Sequence, residues 1–209
     1  MDQFTAARYR LMRSLIAETP TAGKILVDLG AGPSPITAPF DCRLQILLDI
    51  LSHTRPTVLC DFLEHIPLAD ESVDGVVAGE ILEHVSRSRQ FVREIARVLR
   101  PGGWLVLSVP NIVSLKYRLS FLLGRIPAHA AKADYTYPPS YNTNPRGHIR
   151  DYSFAEVRRV LGDQGLRVVA ERSLGTYWHA RPLVPAWLLP VTFSDNVIVK
   201  AVRGHVAPH

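Results

Sequence analysis

The stretch Lys24–Ser34, which reads KILVDLGAGPS, decides the fold that we predict for this chain. Its branched apolar residues at 25–29 are typical of a strand buried on both faces. The triplet Gly30–Gly32 follows at once, and small residues there let the backbone turn sharply and let a ligand lie directly against it. In an open α/β sheet, ligands bind at the carboxyl ends of the strands. The stretch predicts a first strand and a binding turn, although an ordinary strand and tight turn would share the pattern.

The composition is that of a globular protein with a real core. The chain has 209 residues, of which 47% are apolar and 21% charged, and this length is enough for one good-sized domain. The net charge of +5 and the pI of about 9.5 predict attraction to anions, such as a phosphorylated substrate, an acidic glycan or a membrane surface.

The cysteines predict the redox environment of the protein, and the apolar runs bear on secretion and membrane insertion. Cys42 and Cys60 are the two cysteines, and no ligand cluster surrounds them in the sequence. We therefore expect a reduced, cytoplasmic setting and no metal site. The N-terminus lacks the apolar core of a signal peptide, and no apolar run approaches the roughly 20 residues of a membrane-spanning helix.

The first half of the chain has few helical signals after its first helix. Apolar residues at helical spacing predict an amphipathic helix over 3–18, which packs on the sheet or covers the site. Prolines at 33, 35 and 39 argue against a full helix after strand one. Strand two, over 45–50, and strand three, over 57–60, are too close for a crossover helix. We therefore expect reduced helices after strands one and two.

The second half alternates strands and helices. The Pro-Gly-Gly at 101–103 predicts that a helix ends there and a turn follows. Ser153 and Glu156 form a capping box for a helix. Residues 126–150 show no period and predict an irregular excursion over the site. The predicted elements are strand four (73–78), an amphipathic helix (91–99), strand five (104–109), two helices (112–124 and 154–162), strand six (166–170) and strand seven (196–202).

Five segments in this order resemble the class I S-adenosylmethionine-dependent methyltransferases. They are VDLGAGPSP, the acid Asp49 closing strand two, CD at 60–61, IPLADESVDGVVAGEILEHV, and LRPGG at 99–103. More narrowly, the chain is similar to the subgroup that shares the L-E-H-V and L-R-P-G-G segments. The resemblance covers residues 24–110 and extends more weakly to about 170. One departure is Ser34, which stands where many members have a third glycine.

The resemblance implies a fold and a division of the chain. The fold is α/β, with a Rossmann-like, seven-stranded, mostly parallel sheet that has helices on both faces. Residues 1–209 are expected to form a single methyltransferase domain. Its parts are an N-terminal helix (1–22), a cofactor-binding half (24–110), a substrate-covering excursion (111–152) and the C-terminal part of the sheet (153–209).

The resemblance also implies S-adenosyl-L-methionine as the cofactor and a set of residues that bind it. Asp28, Gly30 and Gly32 match the motif that holds the cofactor's amino acid part. Asp49 matches the acid that accepts hydrogen bonds from the ribose hydroxyls, and Asp61 matches the acid near the adenine amino group. The implied cofactor-binding residues are Asp28, Gly30, Ala31, Gly32, Asp49, Ile50, Asp61, Phe62, Glu80 and Ile81.

Three residues are candidate general bases for a hydroxyl acceptor: Glu80, His84 and His148. The ordinary pKa of an imidazole suits proton acceptance near neutrality. His84 can instead pack or cap at the start of a helix, and His148 can be a surface histidine of a loop. Glu83 is expected to be a solvated acid favoured by the helix dipole.

These patterns predict methylation of a small-molecule, glycan or lipid-linked acceptor, and we expect the methyl group to be transferred to an oxygen atom. Arginines near the excursion would clamp an anionic acceptor or form a solvated basic face; they are Arg146, Arg150, Arg158 and Arg159. A leucine stripe would contact a membrane peripherally or serve as core or lid; it comprises Leu115, Leu119, Leu122 and Leu123.

Three other functions compete with methyl transfer to such an acceptor. A non-catalytic module would keep the fold and bind a cofactor or ligand without turnover. A nicotinamide dehydrogenase would need a glycine where Pro35 stands. A nucleic-acid acceptor is disfavoured because no Asn/Asp-Pro-Pro-Tyr/Phe segment follows strand four and no basic stripe alternates with aromatic residues.

Overall fold

The apolar run after Lys24 forms the buried strand β1 (Ile25–Leu29) of a mixed sheet, as predicted. The structure is a computed structural model that describes residues 2–125, 148–178 and 181–204. The other strands in this part of the chain are β2 (Leu44–Asp49), β3 (Val58–Leu59), β4 (Val73–Gly79), β5 (Leu99–Pro110), β6 (Leu166–Arg172), β7 (Thr176–Trp178), β8 (Arg181–Val184) and β9 (Asn196–Arg203).

Seven of these strands form the central sheet, in the order β3-β2-β1-β4-β5-β9-β6. Neighbouring strands from β3 to β5 are parallel, and β9 is antiparallel to both of its neighbours. The expected seven-stranded, mostly parallel sheet is therefore confirmed. Strands β7 and β8 form a separate antiparallel hairpin that the sequence analysis did not predict.

The described residues contain four helices: α1 (Gln3–Ala17), α2 (Ser88–Val98), α3 (Leu115–Leu122), which buries no residue, and α4 (Phe154–Gly162). Met12 and Ile16 of α1 pack with Leu26 and Val77 on one face. Residues of α2 and α4 pack with the alternate side chains, such as Val76, on the other face. Helices therefore lie on both faces of the sheet, as predicted.

The connections after β1 and β2 are short. Residues 30–43, all of which the structure describes, contain no helix, and a single 3-10 turn, Ser52–Thr54, lies between β2 and β3. The prolines in the first segment and the short second segment account for this outcome. The prediction of reduced helices after strands one and two is confirmed.

Two predicted boundaries were wrong. Strand five, predicted over 104–109, begins already at Leu99, because Leu99 pairs with Val73. The next pair joins Gly75 to Trp104, so residues 100–103 bulge out of the pairing with β4, and Gly102 has a φ of 78°. The helix expected from residue 112 begins at Leu115, because Asn111 accepts hydrogen bonds from Val113 N and Ser114 N in a turn before it.

Two further expectations concern the excursion and the membrane. Residues 126–147 of the predicted excursion, with Arg146, lie outside the described residues. In the parts of the chain that are described, no helix has both the length and the apolarity needed to cross a bilayer.

Candidate active site

The glycine turn after β1 lies at the carboxyl edge of the sheet. Gly30 and Gly32 have positive φ angles of 64° and 57°, a backbone conformation that glycine adopts without steric cost. Gly30 N donates to Leu48 O at 2.8 Å, which holds the turn against β2. A Cβ atom at Gly30 would overlap the side chain of Ile81. The turn is therefore a close-packed main-chain surface, with Ile81 against it.

Asp49 connects the end of β2 to this turn. Its carboxylate accepts hydrogen bonds from Gly32 N at 2.9 Å and Leu51 N at 3.0 Å, one at each oxygen. Each oxygen keeps a second lone pair, so Asp49 can fix the turn and still accept from two further hydroxyl groups. Ile50 is half-buried beside it.

Asp28 is directed into the interior, which disagrees with a direct contact to a cofactor. Its side chain is buried, and Oδ2 accepts from Thr37 N at 3.0 Å and Thr37 Oγ1 at 3.1 Å. Burial raises the pKa of Asp28 to about 6, against the lowering effect of these hydrogen bonds. Asp28 therefore fixes the segment after the glycine turn, and its implied role in holding the amino acid part stays a prediction.

The two residues expected near an adenine ring differ in exposure. Asp61 is exposed and accepts a hydrogen bond from Leu63 N at 3.1 Å. Phe62 is 4% exposed and its ring lies 6.3 Å from that of Phe91 in the core. The tip of the Phe62 ring lies 3.9 Å from where a Cβ atom at Gly30 would stand. Phe62 is thus mainly a core residue, whereas Asp61 remains accessible to a ligand.

Glu80 is held by a network that sequence reasoning missed. Its backbone has a φ of 58°, which is uncommon for a residue with a side chain and clusters at functional sites. Its carboxylate pairs with Arg8 at 3.0 Å and accepts from Ser108 Oγ at 3.0 Å and Asn196 Nδ2 at 2.9 Å. These partners leave Glu80 poorly placed to act as a base. They come from α1, β5 and β9, so local sequence around Glu80 carries no signal for them.

Glu83 is buried, which corrects the expectation of a solvated acid. It lies in a 3-10 turn after β4 rather than at the exposed start of a helix, and its side chain is 1% exposed. Burial, with a further contribution from Glu80, raises the pKa of Glu83 well above its ordinary value.

His84 and His148 lie together beside Glu83. Their ring centroids are 5.1 Å apart at an interplanar angle of 80°. His84 Nε2 lies 3.9 Å from Glu83 Oε1. One metal-binding atom from each of the three residues lies within 4.8 Å of the others. This cluster contains neither Cys42 nor Cys60, the residues on which the sequence expectation of no metal site was based.

Main-chain hydrogen bonds bring the segment that begins at His148 to this edge of the sheet. Ile149 N donates to Glu83 O at 2.8 Å, and Ile112 N donates to Tyr152 O at 2.9 Å. The segment therefore crosses the carboxyl ends of β4 and β5. The two candidate histidines, 64 positions apart, share one site for this reason.

A basic cavity of about 570 Å³ adjoins this segment at the start of α2. Of the predicted arginine cluster, Arg150 and Arg159 line the cavity. Arg158 does not, because it pairs with Glu171 at 2.5 Å through two hydrogen bonds. The other arginines in the cavity wall are Arg87, Arg89 and Arg93.

Comparison with known proteins agrees with this geometry. Residues 27–107 match a family model described as a methyltransferase domain. A probable S-adenosylmethionine-dependent methyltransferase of Mycolicibacterium smegmatis is 36% identical over 118 residues, which cover 56% of this chain and 37% of that protein. Residues 27–107 thus belong to a methyltransferase domain, and the domain resembles those of S-adenosylmethionine-dependent methyltransferases. The resemblance inferred from the motifs is confirmed.

Two further proteins are similar to this chain, one in sequence and one in structure. The mitochondrial ubiquinone biosynthesis O-methyltransferase of Mus musculus is 27% identical over 152 residues, which cover 72% of this chain and 37% of that protein. The chain thus spans well under half the length of these curated relatives. The structure of Burkholderia thailandensis 1,6-didemethyltoxoflavin-N1-methyltransferase, solved with S-adenosylhomocysteine, shares the fold with a TM-score of 0.59 at 14% identity, covering 94% of this chain and 78% of that one. S-adenosylmethionine is the family's cofactor.

Proposed function

We propose that this chain transfers the methyl group of S-adenosylmethionine to an oxygen atom of its acceptor. The observation that carries the proposal is that the glycine turn, Asp49 and the histidine pair all lie at the carboxyl edge of the sheet. The glycine turn and Asp49 follow β1 and β2, and the histidine pair lies beyond the end of β4. Ligands of open α/β sheets bind in the crevice at this edge.

The residues of the crevice fit the cofactor. Beyond Ala31, Gly32 offers main chain with nothing within 4 Å of where its side chain would begin, so the amino acid part can lie against it. Asp49 would accept from the ribose hydroxyls with its remaining lone pairs, and the exposed Asp61 would accept from the adenine amino group. Ile50 and Ile81 would supply apolar contacts.

S-adenosylmethionine supplies a methyl group activated by a sulfonium centre, and its transfer to a hydroxyl releases S-adenosylhomocysteine and a proton. The protein's first task is to hold the acceptor oxygen in line with the methyl carbon, and positioning alone can lower a barrier by roughly 7–11 kcal/mol. Its second task is to deal with the proton. An imidazole nitrogen of His84 or His148 can accept it directly, or can hold a divalent ion that acidifies the hydroxyl.

The surface around the crevice favours an amphipathic, lipid-linked acceptor and peripheral contact with a membrane. Exposed apolar side chains include Leu122, 83% exposed, and Trp187, 82% exposed. Arg118 of α3 stacks on Phe193 at 4.6 Å, which ties α3 to the segment that carries Trp187. Leucines and a tryptophan beside basic residues are typical of a surface that lies at a lipid interface. The low-identity match to a ubiquinone O-methyltransferase agrees with this class of acceptor.

The arginine-lined cavity favours an acceptor that carries an anionic group. Guanidinium groups bind phosphate and carboxylate through paired hydrogen bonds. Arg150, two residues after His148, lines the cavity, so an anionic group bound there would lie near the proposed methyl-transfer site. A phosphorylated lipid or a lipid-linked acidic glycan would be both amphipathic and anionic.

The test is methyl transfer from S-adenosylmethionine with a labelled methyl group to a panel of hydroxylated polyprenyl, glycolipid and small aromatic acceptors. We expect the label in a base-stable ether of at least one amphipathic acceptor. A non-catalytic module, the alternative considered from the sequence, would bind S-adenosylmethionine in calorimetry and transfer no label. Label found only on nitrogen or sulfur, or no binding of the cofactor, would contradict the proposal.

A further inference from the structure

We infer that Glu83, His84 and His148 form a binding site for a divalent transition-metal ion. One donor atom from each lies within 4.8 Å of the other two. Donor atoms bound to a common ion at roughly 2.1 Å are about 3–3.5 Å apart, so small side-chain rotations would close the set around an ion. The role of the ion in methyl transfer rests on the proposed function, since the site would lie beside the acceptor oxygen. The ability of the three residues to bind an ion does not.

The Glu83 carboxylate is the observation that calls for a cation. Its side chain is 1% exposed, and neither carboxylate oxygen accepts a hydrogen bond from any residue that the structure describes. A buried carboxylate without a partner is unfavourable, and buried charges are normally paired or bound to metals. The guanidinium of Arg8 is paired with Glu80, and His84 Nε2 lies 3.9 Å from Glu83 Oε1, too far for a hydrogen bond. A bound ion would supply the compensating charge at close range.

The main chain holds the three ligands in place. Glu83 and His84 are consecutive residues of one 3-10 turn, and His84 N donates to Ile81 O at 2.9 Å. The chain at His148 is fixed to the same turn, because Ile149 N and Arg150 N both donate to Glu83 O. Two segments are thus joined at the metal-binding group itself, which is the rigidity that an ion-binding site needs.

The donor set selects the kind of ion. Two imidazole nitrogens and one carboxylate oxygen suit Zn²⁺, Fe²⁺, Co²⁺ or Mn²⁺, whereas Ca²⁺ and Mg²⁺ prefer oxygen ligands. Three protein ligands leave at least one position open, as in catalytic rather than structural zinc sites. That position would take an oxygen of the acceptor, and the ion would lower the pKa of the bound hydroxyl.

The experiment uses the full chain without an affinity tag, stripped with a chelator, and measures Co²⁺ binding by its visible absorption and Zn²⁺ binding by calorimetry. We expect one ion per chain. Glu83→Gln and His148→Ala should weaken binding at least as much as the roughly 10–100-fold loss that follows removal of an outer-sphere partner. His53→Ala is the matched control, because His53 is exposed, and it should bind as the parent does.

Two outcomes would overturn the inference: no Co²⁺ or Zn²⁺ binding by the parent chain, or binding that is the same in the parent and in His148→Ala. Circular dichroism and S-adenosylmethionine affinity report whether Glu83→Gln folds, and His148→Ala, at a half-buried position, carries the test if it does not. Ion binding without S-adenosylmethionine binding would defeat the proposed function and leave the metal site standing. Cofactor binding without ion binding would overturn the metal site and leave the proposed function standing.

Discussion

Gly30 and Gly32 have similar backbones and different surroundings, which makes them a matched pair. Alanine at either position must adopt a positive φ, at a cost of roughly 1–2 kcal/mol. At Gly30 the new methyl group would also overlap Ile81, whereas nothing lies near it at Gly32. Overpacking typically costs about 1–3 kcal/mol. We therefore expect Gly30→Ala to lower the free energy of unfolding by about 1–3 kcal/mol more than Gly32→Ala does. Urea denaturation without cofactor measures both. Equal losses in the two variants would contradict the packing.

Asp28 predicts a pH dependence of stability. Its pKa is about 6 in the folded protein, against an ordinary value of 3.8, so folding stabilises the protonated form. The stability that Asp28 contributes is fully present below the unfolded-state pKa of 3.8 and is lost as the pH rises through the folded-state pKa of about 6. The total loss is up to about 3 kcal/mol.

Asp28→Asn removes this titration and keeps an oxygen that can accept from Thr37. The free energy of unfolding of the variant, minus that of the parent, should therefore increase as pH rises from 4.5 to 7.5. Urea denaturation at a series of pH values measures the difference, and comparison with the parent cancels the titration of Glu83. A difference that does not change with pH would show that the pKa of Asp28 is not raised.

Asp49 predicts the strength of cofactor binding. Asp49→Ala removes both oxygens proposed for the ribose and the acceptor for Gly32 N. Hydrogen bonds to a charged group contribute about 1.5–3 kcal/mol, so we expect S-adenosylmethionine to bind about 10–100-fold more weakly in calorimetry. Asp41→Ala, at an exposed position, should bind the cofactor as the parent does. If the two variants have the same affinity, the ribose assignment fails.

Single residues show where sequence reasoning stops. The glycine turn and Asp49 could be placed correctly, because their positions follow from strand ends and backbone geometry that local sequence encodes. The burial of Glu83 could not, because it depends on the segment at His148, whose Ile149 N caps the Glu83 carbonyl from far along the chain. The cluster of Glu83 with two histidines could not be predicted for the same reason.

At the scale of elements, α1 reaches the site through one ion pair. Arg8 and Glu80 are 3.0 Å apart, with side chains 13% and 21% exposed. Breaking a buried pair costs about 3–5 kcal/mol and an exposed pair contributes about 0–1, so Arg8→Met should lower the free energy of unfolding by roughly 1–3 kcal/mol. Arg10→Met, on the exposed side of the same helix, should change it little. Thermal and urea unfolding measure both, and similar effects would argue against the pair.

The elements with a strong repeating pattern were predicted best. The helix now seen at Phe154–Gly162 was located by its capping box, in which Ser153 Oγ accepts from Glu156 N at 3.3 Å. The start of β5 at Leu99 was missed because the Pro-Gly-Gly at 101–103 favours a turn locally, and local sequence carries no signal for the pairing of Leu99 with Val73. The hairpin of β7 and β8 was missed because prolines at 182 and 185 obscure its alternation.

At the scale of the whole molecule, the exposed apolar face predicts binding to lipid. Leu122 and Leu123 are 83% and 70% exposed. Burying a leucine contributes about 1.5–3 kcal/mol, so the double variant Leu122→Glu/Leu123→Glu should lose at least tenfold in affinity for anionic phosphatidylglycerol vesicles in a sedimentation assay. Val169→Glu, at an exposed position of β6, is the control and should keep it. No vesicle binding by the parent chain would contradict peripheral membrane contact.

Strand β9 has a consequence for synthesis. It lies between β5 and β6, yet it follows both of them along the chain. While a ribosome is still making residues before 196, β5 and β6 each have an unpaired edge, and such edges invite pairing between molecules. A nonsense codon upstream of β9 should therefore give inclusion bodies or rapid degradation instead of a shortened, working enzyme.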